Sequence, residues 1–165
     1  MPEIKDPQQL FAHKLGAALT MEETVLQMLQ ELEQAAQKDE LKQQLSHHRE
    51  ETEQQVKNLT QVFSALGQKP EKQPCPAIEG LQAEGQQMIQ QTSPQLVDSV
   101  ILGGAAETEH HEIAVYEGLI TKAEAMGQED VVALLTENLE QEQHTLKEVQ
   151  AATQKEAKQL AAQPA

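Results

Sequence analysis

The sequence has 165 residues and a formal net charge of −15, from 12 Lys and Arg against 27 Asp and Glu. That length allows one domain over residues 1–165 with a sizeable core. It has no Trp, one Tyr and two Phe, and is rich in Ala, Leu, Gln, Glu and Lys, so an all-β architecture is not expected.

No run approaches about 20 consecutive apolar residues, so no membrane span is expected. Residues 1–14 lack a basic stretch followed by an apolar one, and no secretory signal is expected there. Cys75 is the single cysteine, which excludes an internal disulfide and suits a reducing, cytoplasmic setting. The acidic balance argues against a nucleic-acid partner.

The first helix is predicted from Asp6 as N-cap and Pro7 at the first helical position, running to about Gln37. Asp39 is predicted to cap a second helix over residues 40–66. Gly67 supplies a left-handed terminus and Pro70 a stop. Pro70, Pro74 and Pro76 mark a loop, followed by a short helix over residues 77–91. Ser93 and Pro94 repeat the cap-then-proline signal and open a third long helix ending at Met126 and Gly127. The fourth runs from Glu129 to about Leu160, with a frayed tail beyond.

Short connections make helices one and two antiparallel neighbours, and likewise three and four. A helix of this length spans about 40 Å, and the long middle connection can return along it. The expected fold is all-α: a ferritin-like four-helix bundle of two antiparallel hairpins joined by a long crossover with a short extra helix. An up-down-up-down bundle with an elaborate loop is the alternative.

Apolar residues recur at spacings of three and four, and acids interrupt them. The first stripe is Leu15, Ala18, Glu22, Val25, Leu29 and Leu32. The second is Leu41, Leu45, His48, Thr52, Val56, Leu59 and Phe63, with Glu51 on its edge. The third is Val97, Ile101, Ala105, Glu109, Glu112, Tyr116 and Leu119. The fourth is Leu135, Leu139, Glu142, Leu146 and Val149. Glu112 lies 15 residues before Gly127 and Glu142 lies 15 after it, so the two meet at one height, about 22 Å from the turn. In the first hairpin, Glu22 matches His48 and Glu51 more loosely.

Buried carboxylates facing one another are costly unless a cation lies between them. Carboxylates with an imidazole suit iron or manganese. The candidate metal ligands are therefore Glu22, His48, Glu51, Glu109, Glu112 and Glu142. Taken singly, any of these glutamates reads equally as a solvated residue one position off its stripe. His48 alone reads as a structural histidine. His47, His110 and His111 read as solvent-facing or as partners of the ligands, His13 as a surface residue and Cys75 as structural. His144 is at the wrong spacing to share a face with Glu142. Tyr116 reads as a core residue beside the site.

Three stretches carry a family resemblance: HHREETEQQVKNLTQVF at residues 47–63, CPAIEGL at 75–81 and ETEHHEIAVYEGL at 107–119. AEAMG at 123–127 and LEQEQ at 139–143 add to it. The sequence resembles the YciE/YciF family of ferritin-like, rubrerythrin-related stress proteins over about residues 10–149. The resemblance implies a ferritin-like fold, a homodimer and a dinuclear metal site on the six residues named above. It departs from the family pattern at Ala17, Leu19, His111 and Leu146.

Two functions compete. One is a stress-response protein holding two iron (or manganese) ions per chain, with ferroxidase- or peroxidase-like chemistry toward oxygen or peroxide. The other is a structural or interaction dimer whose site is empty or holds a structural metal. No P-loop, Gly-x-Ser-x-Gly or Gly-x-Gly-x-x-Gly motif supports a nucleotide-dependent or hydrolytic enzyme.

Overall fold

The computed structural model describes residues 3–162. They form helices α1 (Pro7–Ala35), α2 (Asp39–Ala65), α3 (Pro76–Gln91), α4 (Val97–Ala125) and α5 (Glu129–Ala161), with a 3₁₀ turn at Pro94–Leu96. No strand occurs among the described residues. No helix among them is long and apolar enough to cross a membrane.

The predicted starts and stops hold with small changes. Asp6 caps α1, its side chain accepting the N–H of Gln9 at 2.8 Å, and Pro7 occupies the first turn. Gly67 and Gly127 close α2 and α4 with φ of +67° and +69°, a region open to glycine at little cost. Asp39 does not cap α2 but is its first residue. The capping carboxylate comes instead from another helix: Asp98 accepts the backbone N–H groups of Gln37 at 2.7 Å and Lys38 at 3.1 Å. Its charge lies at the positive end of α2. Ser93 makes no capping bond, and the 3₁₀ turn at Pro94–Leu96 precedes α4. Helix α5 continues past Leu160 to Ala161, and the expected frayed tail falls largely on residues 163–165, outside the described residues.

Helix α1 packs on α2 and α4 on α5, and the two hairpins meet through α2 against α5 and α1 against α4. Ion pairs fix the α2–α5 register near one end. Lys38 pairs with Glu156, and Lys155 with Glu40 at 2.6 Å. Further along, Asn58 bonds Asn138 at 2.8 Å, so the two helices run antiparallel. The crossover lies along α1. The Gln73 N–H bonds the Gly16 carbonyl at 3.1 Å, and Gln86 Nε2 reaches Glu31 at 2.8 Å. This is the expected ferritin-like bundle, two hairpins joined by a crossover that carries α3.

The core has two apolar ends. Phe11, Leu15, Leu59, Val62, Phe63, Leu119, Val131 and Leu135 fill one. Leu29, Leu41, Leu45, Val97, Ile101 and Leu102 fill the other. Between them the helices turn buried polar and acidic groups toward one another.

Candidate metal centre

Glu22, Glu109, Glu112 and Glu142 are all 0% exposed, and His48 is 6% exposed. Each sits at mid-helix, where a core-facing position continues the apolar stripe on either side. Helix geometry turns those positions toward the core.

His48, Glu109, Glu112 and Glu142 form a tight group. Each offers one ligand atom, and these atoms all lie within 4.8 Å of one another. His48 Nε2 is 3.4 Å from Glu109 Oε1 and 3.7 Å from Glu142 Oε2. With the acids ionised, both carboxylate oxygens of Glu109, Glu112 and Glu142 lack a hydrogen-bond partner, as do His48 Nε2 and Glu22 Oε2; only a proton held between Glu22 and Glu112, or between Glu109 and Glu142, would bridge them. Buried polar atoms in folded proteins are nearly always paired, so this concentration of orphans is a local exception. The hard oxygen donors with one imidazole are the set that iron or manganese takes. The residues present therefore fit such an ion.

Burial and mutual repulsion push Glu22, Glu109 and Glu112 toward their neutral forms. Burial raises the Glu109 carboxyl to about 11, and the charge on Glu142 adds to it. Glu22 and Glu112 are likewise held well above the ordinary carboxylate range, by burial first and then by Glu142. Tyr116 is raised well above the usual phenol range by burial and by the charge on Glu22.

Glu22 and Glu51 stand outside the group of four. Glu22 Oε1 accepts the hydroxyl proton of Tyr116, while Glu22 faces Glu112 and Glu142. Glu51 is half-buried at the rim. Its carboxylate reaches the Thr145 hydroxyl at 3.4 Å and His47 Nε2 at 3.6 Å, and its charge is felt by Glu109.

The other histidines lie away from the group. His47, His110 and His144 are exposed, with His144 beside Glu148 at 3.5 Å. His13 is half-buried. His111 Nε2 lies 3.9 Å from Cys75 Sγ, and burial, with Lys14 nearby, lowers its pKa.

Several buried polar residues lie off the predicted stripes. Gln55, Asn58, Asn138 and Thr145 face inward, where Val56, Leu139 and Leu146 were expected; those three are only half-buried. The available signal was spacing. Asn138 and Thr145 flank Glu142 at four and three residues, on the face that Glu142 itself defines. The predicted stripes run along the adjacent Val56, Leu139 and Leu146, which cover the seams between helices instead.

A family described as "Domain of unknown function (DUF892)" matches residues 6–162. The chain belongs to this family. It is 33% identical to Protein YciF of Escherichia coli strain K12 over 144 residues, 86% of this chain and 87% of YciF. The crystal structure of the E. coli stress protein YciF superposes with a TM-score of 0.89 at 29% identity, covering 94% of this chain and 99% of that one. YcfI from Rhodopseudomonas palustris, described as a candidate structural protein, superposes at 0.87 with 35% identity, over 90% of this chain and 95% of that one. A protein from Xanthomonas campestris pv. campestris shares the fold at 0.71, with 20% identity over 94% of this chain and 99% of that one. The resemblance to YciF read from residues 47–63, 75–81 and 107–119 is thus met along most of the DUF892 chain.

Proposed function

We propose that this DUF892 protein holds a pair of iron or manganese ions between its hairpins and handles iron or peroxide in a stress response, as a homodimer. The ligands are Glu22, His48, Glu51, Glu109, Glu112 and Glu142. The observation that carries this reading is the cluster of unpartnered, fully buried carboxylate oxygens around His48 Nε2. Among the described residues His48 is the one basic side chain within ion-pair distance of them, and two cations match their number and hardness.

Bound iron supplies a ferrous–ferric couple that oxygen or peroxide can draw on. The protein's own contribution is positional. Glu109 and Glu112, one turn apart on α4, and Glu142 from α5 converge on one space, and His48 enters it from α2. Glu109 and Glu112 must shed protons to bind, because burial holds them neutral in the free protein. Glu51, at the half-buried rim beside Thr145, is the acid best placed to meet an arriving ion. The apolar ends above and below keep bulk water out.

A second reading has its own support: burial favours the neutral forms of Glu22, Glu109 and Glu112, and the similar YcfI is described as structural. In that reading the bundle serves as an interaction module without metal turnover. Elemental analysis separates the two. Protein purified without chelator and then loaded anaerobically with ferrous iron should carry about two metal ions per chain. Glu112→Ala should lose metal while keeping its helical circular dichroism. Less than one equivalent in the loaded wild type would overturn the metal reading.

A further inference from the structure

The side-chain amides of Gln54, Asn58 and Asn138, next to the acids, form a single directed chain. Gln54 Nε2 donates to Asn58 Oδ1 at 3.0 Å, and Asn58 Nδ2 donates to Asn138 Oδ1 at 2.8 Å. Asn138 Nδ2 donates to the Tyr116 hydroxyl at 3.0 Å and to the backbone carbonyl of Gln55 at 3.3 Å. The Tyr116 hydroxyl donates to Glu22 Oε1. Asn58, Asn138, Tyr116 and Glu22 are each 2% exposed or less.

The direction is forced. A backbone carbonyl can only accept, so the Gln55 contact fixes which end of the Asn138 amide carries hydrogen. Tyr116 then receives a hydrogen from Asn138 and has one of its own to give. Glu22 Oε1 is the acceptor it meets. Glu22 Oε2 accepts from no amide, hydroxyl or backbone group, and the side chain faces Glu112.

We propose that Asn138 is a positioning residue of the centre: with Asn58 behind it, it fixes Tyr116 as a one-way donor, so that Glu22 offers only Oε2 to a metal. This rests on the metal reading above. The chain begins on α2, crosses to α5, passes to α4 and ends on α1, so one amide on α5 governs a ligand on α1. A carboxylate tied at one oxygen binds through the other in a set orientation, and groups that orient ligands in this way alter metal affinity when removed.

The sequence supplies a reporter. Tyr116 is the only tyrosine and there is no tryptophan, so its near-ultraviolet band reports on this bond alone among such chromophores. Manganese(II) is titrated into metal-free protein. The tyrosine band, affinity by chelator competition and bound metal by elemental analysis are followed together. The band should shift in step with occupancy, because Glu22 accepts less strongly once it is bound to a cation. Asn138→Leu should bind about tenfold more weakly or worse, with the tyrosine shift altered. Tyr116→Phe, which removes one oxygen, should weaken binding by a similar factor, and the double variant should be little worse than either single one.

Two results would overturn the proposal. One is stoichiometric manganese in the wild type with no tyrosine shift. The other is folded variants of wild-type affinity, which would leave the chain as a tie between helices. If Asn138→Leu does not fold, Tyr116→Phe carries the affinity test alone. A wild type that takes up neither manganese nor, when loaded anaerobically, ferrous iron fails differently: elemental analysis then removes the metal reading itself.

Discussion

Gln73 donates its backbone N–H to the carbonyl of Gly16 at 3.1 Å, which lays the crossover directly on the backbone of α1. A Cβ on Gly16 would meet the Glu71 carbonyl oxygen at 2.3 Å and Gln73 Cγ at 2.8 Å. The backbone oxygen cannot swing aside as a side chain would. Gly16→Ala should therefore lift the crossover and destabilise the protein by about 1–3 kcal/mol. Urea unfolding checks this, and a wild-type midpoint would show that the crossover is free to move.

The metal-free protein should lose stability as pH rises. Glu109 keeps its proton in the folded state up to about 11, while the unfolded chain releases it near the ordinary 4.5. Glu22 and Glu112 are raised in the same direction. Between those values the folded state binds more protons than the unfolded one, so unfolding becomes easier as pH increases. The slope is about 1.4 kcal/mol per pH unit for each proton so held. Below about pH 4.5 the contribution is fully present. Glu112→Gln should flatten the slope by removing one such group. Denaturation midpoints across pH 5 to 9, an interval of about four units, test both statements.

Metal should reverse that trend. Ions bind the deprotonated acids, so affinity rises with pH and binding releases protons. At a free manganese concentration of about 100 times Kd, stability should rise by about 2.7 kcal/mol per independent site, and a strong chelator should abolish the gain. Thermal melts with and without chelator give the answer. An unchanged Tm at stoichiometric occupancy would contradict the idea that the ions relieve buried charge.

Asp98 is the support of the α1–α2 turn. It is 3% exposed and takes the N–H groups of Gln37 and Lys38 from a distant part of the chain. Asp98→Ala should leave both donors short of a partner and cost about 1–3 kcal/mol. Amide exchange should quicken first at Lys38 and in the opening turn of α2, with the far ends of the bundle little affected.

Much of this architecture was legible because helix punctuation is local. Asp6 with Pro7, Gly67 and Gly127 each act within a few residues, and each did so where expected. The stripe-breaking acids were legible for a related reason: a glutamate on an apolar line is conspicuous, and Glu22, Glu109, Glu112 and Glu142 are all fully buried. Asp98 was not legible, since its partners at Gln37 and Lys38 are set by docking of the hairpins and by no local pattern. Asn58 escaped for the same reason: it looks like a surface amide until the other helix arrives, whereas Asn138 was within reach of its spacing from Glu142.

The acids are divided unequally along the chain. The first hairpin carries Glu22, His48 and the half-buried Glu51, whereas the second carries the three fully buried acids Glu109, Glu112 and Glu142. As the polypeptide emerges during synthesis, the first hairpin can form with one buried acid and a histidine on its open face. Three carboxylates crowd together only when α5 folds back on α4, and all the groups meet only when the hairpins dock. Repulsion is therefore absent from the early stages of folding and concentrated in the last. A cation present at that moment acts as a template for docking, so refolding should be faster with manganese in solution than without it.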